Sequence, residues 1–287
     1  MTAKPVIAGT DGSAEATRAV EWAANEARLR GAALRIVSVI ELMPRMPGPE
    51  GLNDLSEVAD SIKQSAQDAL DAAARRAAEF APGVRIDTGL LPGPPAVTVS
   101  DCGKRAQLLV VGSRGTGPFT AMLLGSVSRH AAIHAACPVI VVREENMAAH
   151  RQIVVGIRDA DDCAAALTFA FEEAAMRKAS LLAVHAWQSP FAYIDPGPDD
   201  APVPPPHAAE ARATVALTGL LAEWRAKYPD VIVNQDVVHG HPGRVLTDYS
   251  ARADLVVLGR HGKHGVARVA HAVVSHAHGP VATVPSA

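Results

Sequence analysis

Leu108-Leu109-Val110-Val111-Gly112-Ser113-Arg114-Gly115, resumed after nine residues by Gly125-Ser126-Val127-Ser128-Arg129-His130, decides how the chain folds. Four consecutive aliphatic residues read as a strand covered on both faces, the pattern of a parallel sheet. The glycines that follow read as a loop, and Ser126 opens a helix. Glycine lets backbone N–H groups turn toward a ligand and lets that ligand come close to the chain. A helix N-terminus contributes further donors and the positive end of its dipole. Together these are the parts of a phosphate cradle. The plainer reading is a connection whose glycines only supply positive φ.

Composition sets the frame around this stretch. Hydrophobic residues make up 48% of the 287, charged residues 20% and aromatics only 4%. A core so poor in rings has to be built from Ala, Val, Leu and Ile, which suits parallel strands under alanine-rich helices. The length allows two domains of ordinary size. A net charge of −3 leaves no electrostatic footprint for nucleic acid or an anionic membrane. No run of about 18 apolar residues suggests a membrane span. Met1 to Pro5 leads into a strand without the apolar region of a signal peptide. Cys102, Cys137 and Cys163 lack metal-ligand spacing. The expected setting is a reduced cytoplasm.

Upstream of the glycine loop, short apolar strands alternate with helical patterns. Pro5 to Gly9 reads as a strand, Ala14 to Arg30 as a helix stopped by Gly31, and Leu34 to Ile40 as a second strand. A proline-rich loop, Pro44 to Gly51, precedes a long helix from about Asp54 to Phe80. A third strand spans Val84 to Leu90, and Gly93-Pro94-Pro95-Ala96 opens a third helix. Cys137 to Val142 is the fifth strand. Strands alternating with helices imply βαβ crossovers and a parallel sheet.

The same order then begins again. Gly9 and Gly156, Gly93 and Gly240, Gly112 and Gly259 all stand 147 positions apart, which indicates an internal duplication. The second proline-rich loop is Pro190 to Pro206, and the boundary falls in the polar stretch Arg143 to His150. Two domains are expected, at residues 1–145 and 150–287. Cys137-Pro138 and Gly279-Pro280 stand only 142 apart, so the second copy lacks five residues between Gly262 and its last helix. That deletion falls on the glycine loop.

In a doubly wound sheet, ligands bind beyond the carboxyl ends of the strands where the strand order reverses. Three segments of the first copy should meet there: Gly9-Thr10-Asp11, the end of strand two at Val39-Ile40, and the glycine loop. Asp11 offers a carboxylate to ribose hydroxyls, and the apolar strand ends offer a slot for a flat base. The loop, Ser126 and Ser128 offer donors to phosphates, although Asp11 also reads as a helix cap and Ser128 and Arg129 as plain first-turn residues.

On these motifs the chain resembles the tandem universal stress proteins. Gly112, Gly115, Gly125 and Ser126 match that family's ATP-binding pattern in full, and Asp11, Gly93 to Ala96 and the Cys137 to Val142 strand also fit. The resemblance implies two tandem Rossmann-like domains of the adenine nucleotide alpha hydrolase type, each a five-stranded parallel sheet flanked by helices. It implies ATP, with magnesium, held by Gly9, Thr10 and Asp11 at the ribose and by the Val39 backbone at the adenine. Gly112, Arg114, Gly115, Gly125, Ser126, Val127 and Ser128 would surround the phosphates. It further implies homodimers paired through fifth strands, other protein partners, and a role in stress, growth arrest or dormancy.

The second copy departs from this pattern. Arg158 stands where Asp11 would be, with Asp159 beside it, and Ala267-Arg268 replaces Gly125-Ser126. The second copy is therefore expected not to bind ATP in the family manner. Its histidines (His239, His241, His261, His264, His271, His276 and His278) raise a metal or pH-sensing site as a weaker reading. The P-loop lysine motif, the dinucleotide fingerprint and the nucleophile elbow are all missing. No catalytic residue or metal ligand is assigned. A cradle without a water-activating group should hold ATP better than it cleaves it. A nucleotide-dependent regulator is thus expected ahead of a slow ATPase or a dimerising scaffold.

Overall fold

The computed structural model describes residues 3–41, 53–115, 123–143, 149–158, 163–188, 206–260 and 264–286. Most of both proline-rich loops, much of the Arg143 to His150 stretch, and Asp159, His261 and Gly262 lie outside them. The chain divides into two compact units, Met1–Glu144 and Glu145–Ala287. No described helix is long and apolar enough to cross a membrane.

In the first unit the elements run β1 (Val6–Gly9), α1 (Ala14–Leu29), β2 (Leu34–Ile40), α2 (Asn53–Phe80), β3 (Ile86–Pro92), α3 (Pro95–Cys102), β4 (Leu108–Gly112), α4 (Ser126–His134) and β5 (Val139–Val142). The strands lie in the order β3-β2-β1-β4-β5, each pair parallel. The chain moves outward from β1 to β3 and returns to β4 on the other side of β1. Strand order therefore reverses between β1 and β4.

Local chemistry explains where the elements stop. The Ser13 hydroxyl accepts from the Ala16 N–H at 3.1 Å and caps α1, while Gly31 ends it with φ +59°. The third strand begins two residues later than its apolar pattern suggests. Gly83 at φ +89° and the Val84 N–H to Ala81 carbonyl bond hold that approach in a turn. Cys137-Pro138 likewise leads into β5 without belonging to it, and the Pro138 carbonyl accepts from the Leu109 N–H at 3.0 Å.

Val6, Ala8, Leu108, Leu109, Val110, Val139 and Ile140 have no exposed surface. Alanines 19, 23, 24 and 27 and Val20 of α1 are equally buried, so small side chains bring that helix close to the sheet. The outer strand β3 is half-exposed and carries Asp87 and Thr88, as an edge requires.

The second unit repeats this with β6 (Gln152–Gly156), α5 (Ala164–Arg177), β7 (Ser180–Trp187), α6 (Pro206–Lys227), β8 (Val233–His239), α7 (Pro242–Ser250), β9 (Leu255–Arg260), α8 (His264–His276) and β10 (Val281–Pro285). Its order is β8-β7-β6-β9-β10, again parallel. The repeat extends to single bonds. Thr10 N–H to Val37 carbonyl recurs as Ile157 N–H to Val184 carbonyl, both 2.9 Å, and Gly93 to Ile40 recurs as Gly240 to Trp187. Glu26 is wholly buried in α1 and paired with Arg30 at 3.1 Å; Glu173 is wholly buried in α5 and paired with Arg177 at 3.0 Å.

Candidate nucleotide site of the first unit

Beyond the carboxyl ends of β1, β2 and β4 lies a cavity of about 590 Å3, inside the ~300–1,000 Å3 range of small-molecule sites. Gly9, Thr10, Asp11, Val39, Gly112, Arg114, Gly115, Gly125, Ser126, Val127 and Ser128 all line it. Each residue that the sequence nominated therefore faces one space, at the point where strand order reverses. Ala16, Pro95, Val99, Val111, Leu124 and Arg129 complete the described wall.

The β2 side supplies an apolar slot with a polar edge. Val37 gives its carbonyl to the Thr10 N–H at the end of β1, whereas Ile40 gives its own to Gly93, on the β3 side. Backbone groups of alternate residues face the same edge of a strand. Val39 thus directs its N–H and C=O toward the side on which β1 has already ended. Pro95 and Val99 of α3, together with Val111, supply apolar wall. These three were legible as neighbours of Gly93 and of the fourth strand, but nothing in the pattern marked them as lining.

At the glycine loop the structure corrects the plainer reading. Among the described glycines, positive φ occurs at Gly12, Gly31, Gly83 and Gly93, and not at Gly112, Gly115 or Gly125. Gly112 and Gly115 serve space, not conformation. A Cβ at Gly112 would lie 2.8 Å from the Glu15 carbonyl carbon and 2.9 Å from its oxygen, so this glycine lets the end of β4 abut the first turn of α1. A Cβ at Gly115 would collide with the Asp11 carboxylate. At Gly125 a Cβ meets nothing closer than 3.4 Å. Gly112→Ala should therefore lower stability by about 1–3 kcal/mol through overpacking, whereas Gly125→Ala should be nearly silent in the ligand-free protein. Urea denaturation of the two variants checks this.

The N-terminus of α4 differs from that of α1. Gly125 is its N-cap, and no side chain caps it. Its first intrahelical bond runs from Arg129 N–H to the Gly125 carbonyl at 3.0 Å. The N–H groups of Ser126, Val127 and Ser128 precede that bond and stand at the positive end of the dipole. Ser128 needs a correction. It is 2% exposed, and its hydroxyl faces the carbonyls of Ser113 and Gly125 at 3.0 Å each. That hydroxyl ties the helix to the strand exit, so only the backbone of Ser128 remains as a phosphate donor. Arg114 and Arg129 also line the wall, and Arg129 was not nominated as a ligand group. Asp11 accepts from the Ser13 N–H at 3.0 Å while its other oxygen lies against Gly115, so it braces the turn before α1, whose cap is Ser13 and not Asp11.

In the second unit the corresponding strand end is more crowded among the described residues. Val99 and Val111 stand 3.4 and 3.5 Å from a Cβ at Gly9; their counterparts Leu246 and Leu258 would stand 2.8 and 2.9 Å from one at Gly156. Larger side chains crowd the approach to Gly156. Thirteen residues (113–125) separate β4 from α4, but only three (261–263) separate β9 from α8. Ala267-Arg268 therefore lies inside α8 and does not open it, contrary to the sequence alignment of the two copies. Helix has replaced loop. Arg158 follows β6 where Asp11 follows β1.

Among the described residues, no three His, Cys, Asp or Glu side chains gather as metal ligands. His239 packs edge-on against Trp187 at 4.8 Å, and His276 contacts the Ala272 carbonyl at 2.9 Å. Tyr249 donates to Asp236, and burial first and that bond second push its phenol up to about 12. Cys137 and Cys163 are buried, and burial also raises the Cys102 thiol, which donates to the Thr98 carbonyl.

Residues 2–143 and 149–285 each match the profile described as the universal stress protein family. The chain belongs to that family. A universal stress protein of Mycobacterium tuberculosis is 33% identical over 98% of this chain and 95% of its own length. One from Mycolicibacterium smegmatis is 32% identical over the same shares. The crystal structure of a universal stress protein from Archaeoglobus fulgidus aligns with a TM-score of 0.70 at 18% identity, covering 99% of this chain and 97% of that one. That likeness bears on the fold, which is the Rossmann-like α/β arrangement of universal stress proteins in two copies. Family membership is consistent with a role in the stress response.

Proposed function

We propose that the chain holds one adenine nucleotide, ATP with magnesium, in its first unit and works as a nucleotide-dependent regulator of stress response, growth arrest or dormancy. The observation that carries this reading is the convergence of an apolar slot, the Asp11 carboxylate and the uncapped start of α4 on one cavity. The Val39 backbone would take the adenine edge, Asp11 the ribose hydroxyls, and the first-turn N–H groups of α4 with Arg114 and Arg129 the phosphates. Magnesium would be held mostly by phosphate oxygens and water, as is usual beside a nucleotide.

Asp11 is the only carboxylate on the described wall. Hydrolysis needs a residue that orients the attacking water as well as cations that stabilise the leaving charge. With one carboxylate already engaged by Ser13, holding is favoured over turnover. The crowded strand end and shorter loop of the second unit support one site per chain, in the first. Mass spectrometry of the purified protein, with nucleotide counted per chain, is expected to return one. A count of two would overturn the asymmetry. No nucleotide, together with no thermal shift on adding MgATP, would overturn ATP binding itself.

A further inference from the structure

Arg114 does not stand alone at the phosphate side of the cavity. Its guanidinium lies 3.5 Å from the Glu15 carboxylate, in the first turn of α1. Glu15 is also 3.9 Å from Arg18. The Glu15 side chain is only 20% exposed, against 44% for Arg114, and Glu15 is not part of the described cavity wall. Gly112 fixes this arrangement, because its missing Cβ is what allows the Glu15 peptide to sit against the end of β4.

We propose that Glu15 is a positioning residue that holds Arg114 in reserve, so that bound phosphate and Glu15 compete for the same guanidinium. The proposal rests on the reading of this cavity as a nucleotide site. A guanidinium presents its donors in one planar fork, and a carboxylate and a phosphate use that fork in the same way. Turning Arg114 toward a phosphate gives up the contact with Glu15. Arg18 makes the exchange feasible, because Glu15 retains a cation when Arg114 leaves and no half-buried carboxylate is stranded. The exchange also passes ligand occupancy to α1, since Glu15 then answers to Arg18 alone. Glu15 thereby sets ATP affinity below what the cradle would otherwise reach.

The test is a double-mutant cycle on MgATP affinity by titration calorimetry, using the full chain with Glu15→Gln, Arg114→Gln and both together. Glu15→Gln is expected to tighten ATP binding about threefold, and by no more than about fivefold for a partly exposed pair. In the Arg114→Gln background the same change is expected to have no effect, because the competition is gone. An equal gain in both backgrounds would mean that Glu15 acts only through its long-range field. No gain in the parent would mean that it does not compete. Either result overturns the proposal. Ligand-free melting points of the four proteins separate a folding effect, which would shift the midpoint without producing coupling in affinity. Failure of the parent to bind MgATP is a different result, and it removes the site reading together with this one.

Discussion

Gly115→Glu is expected to abolish ATP binding while leaving the protein folded. Gly115 is exposed beyond the end of β4, so no core contact is lost. The Cβ alone would collide with the Asp11 carboxylate, which displaces the group proposed to meet the ribose. The remainder of the side chain then enters the cavity and places a second negative charge where phosphates would sit. At an ATP concentration a hundredfold above Kd, binding stabilises the native state by about 2.7 kcal/mol. For a protein of this size that corresponds to a rise in Tm of roughly 5–10 °C. The parent should show the rise and Gly115→Glu should not, with ligand-free midpoints within about 2 °C of one another. Gly115→Ala should fall between them, because it displaces Asp11 without adding charge. A full ATP shift in Gly115→Glu would remove the cradle from this loop.

The fold was legible because several landmarks repeat at one interval. Gly93 and Gly240 close β3 and β8 with equivalent hydrogen bonds, at the spacing read from sequence. The place of the cavity was legible for a related reason. Strand ends at a reversal of order form a crevice whatever the side chains are, so naming the strands located the cavity.

Individual roles were less accessible. Gly112, Gly115 and Gly125 look alike in a motif, yet one abuts the Glu15 peptide, one faces Asp11 and one caps a helix. The difference lies in which elements approach them. The Ser128 hydroxyl was read as a ligand group because sequence does not show that the Ser113 carbonyl stands opposite. The crowding at Gly156 was visible in principle, since Leu246 and Leu258 stand at the positions of Val99 and Val111 in the duplicated register. Its significance depended on knowing that both valines face the cavity floor. The early start of α8 at His264 could not be located by a five-residue gap, because helix extension consumed loop beyond the deletion.

Arg30→Met tests a feature that sequence would assign to the surface. Glu26 and Arg30 have the i, i+4 spacing of an exposed helical pair, which contributes about 0.3–0.5 kcal/mol. The structure buries Glu26 completely and leaves the Arg30 side chain 11% exposed. A carboxylate withdrawn from water needs its cation, and removing one partner of a buried pair costs about 3–5 kcal/mol. Arg30→Met keeps most of the aliphatic volume, so the loss reports charge more than packing. Urea denaturation should show a loss near 3 kcal/mol, and Arg177→Met should show a similar loss, since Arg177 is 12% exposed beside an equally buried Glu173. Replacing both partners, Glu26→Leu with Arg30→Met, should recover most of the stability, because neither member of the pair is then left without the other. A loss below about 1 kcal/mol for Arg30→Met would place the pair with ordinary surface bridges. MgATP affinity should be unchanged in Arg30→Met well below its melting point, because the pair lies toward the C-terminal end of α1 and the Ser13 cap and Glu15 lie at its start. The two copies have diverged at Asp11, at both floor valines and along the loop, while this pair is the same in each. It therefore belongs to the packing of the helix on its sheet, and the ligand has no claim on it.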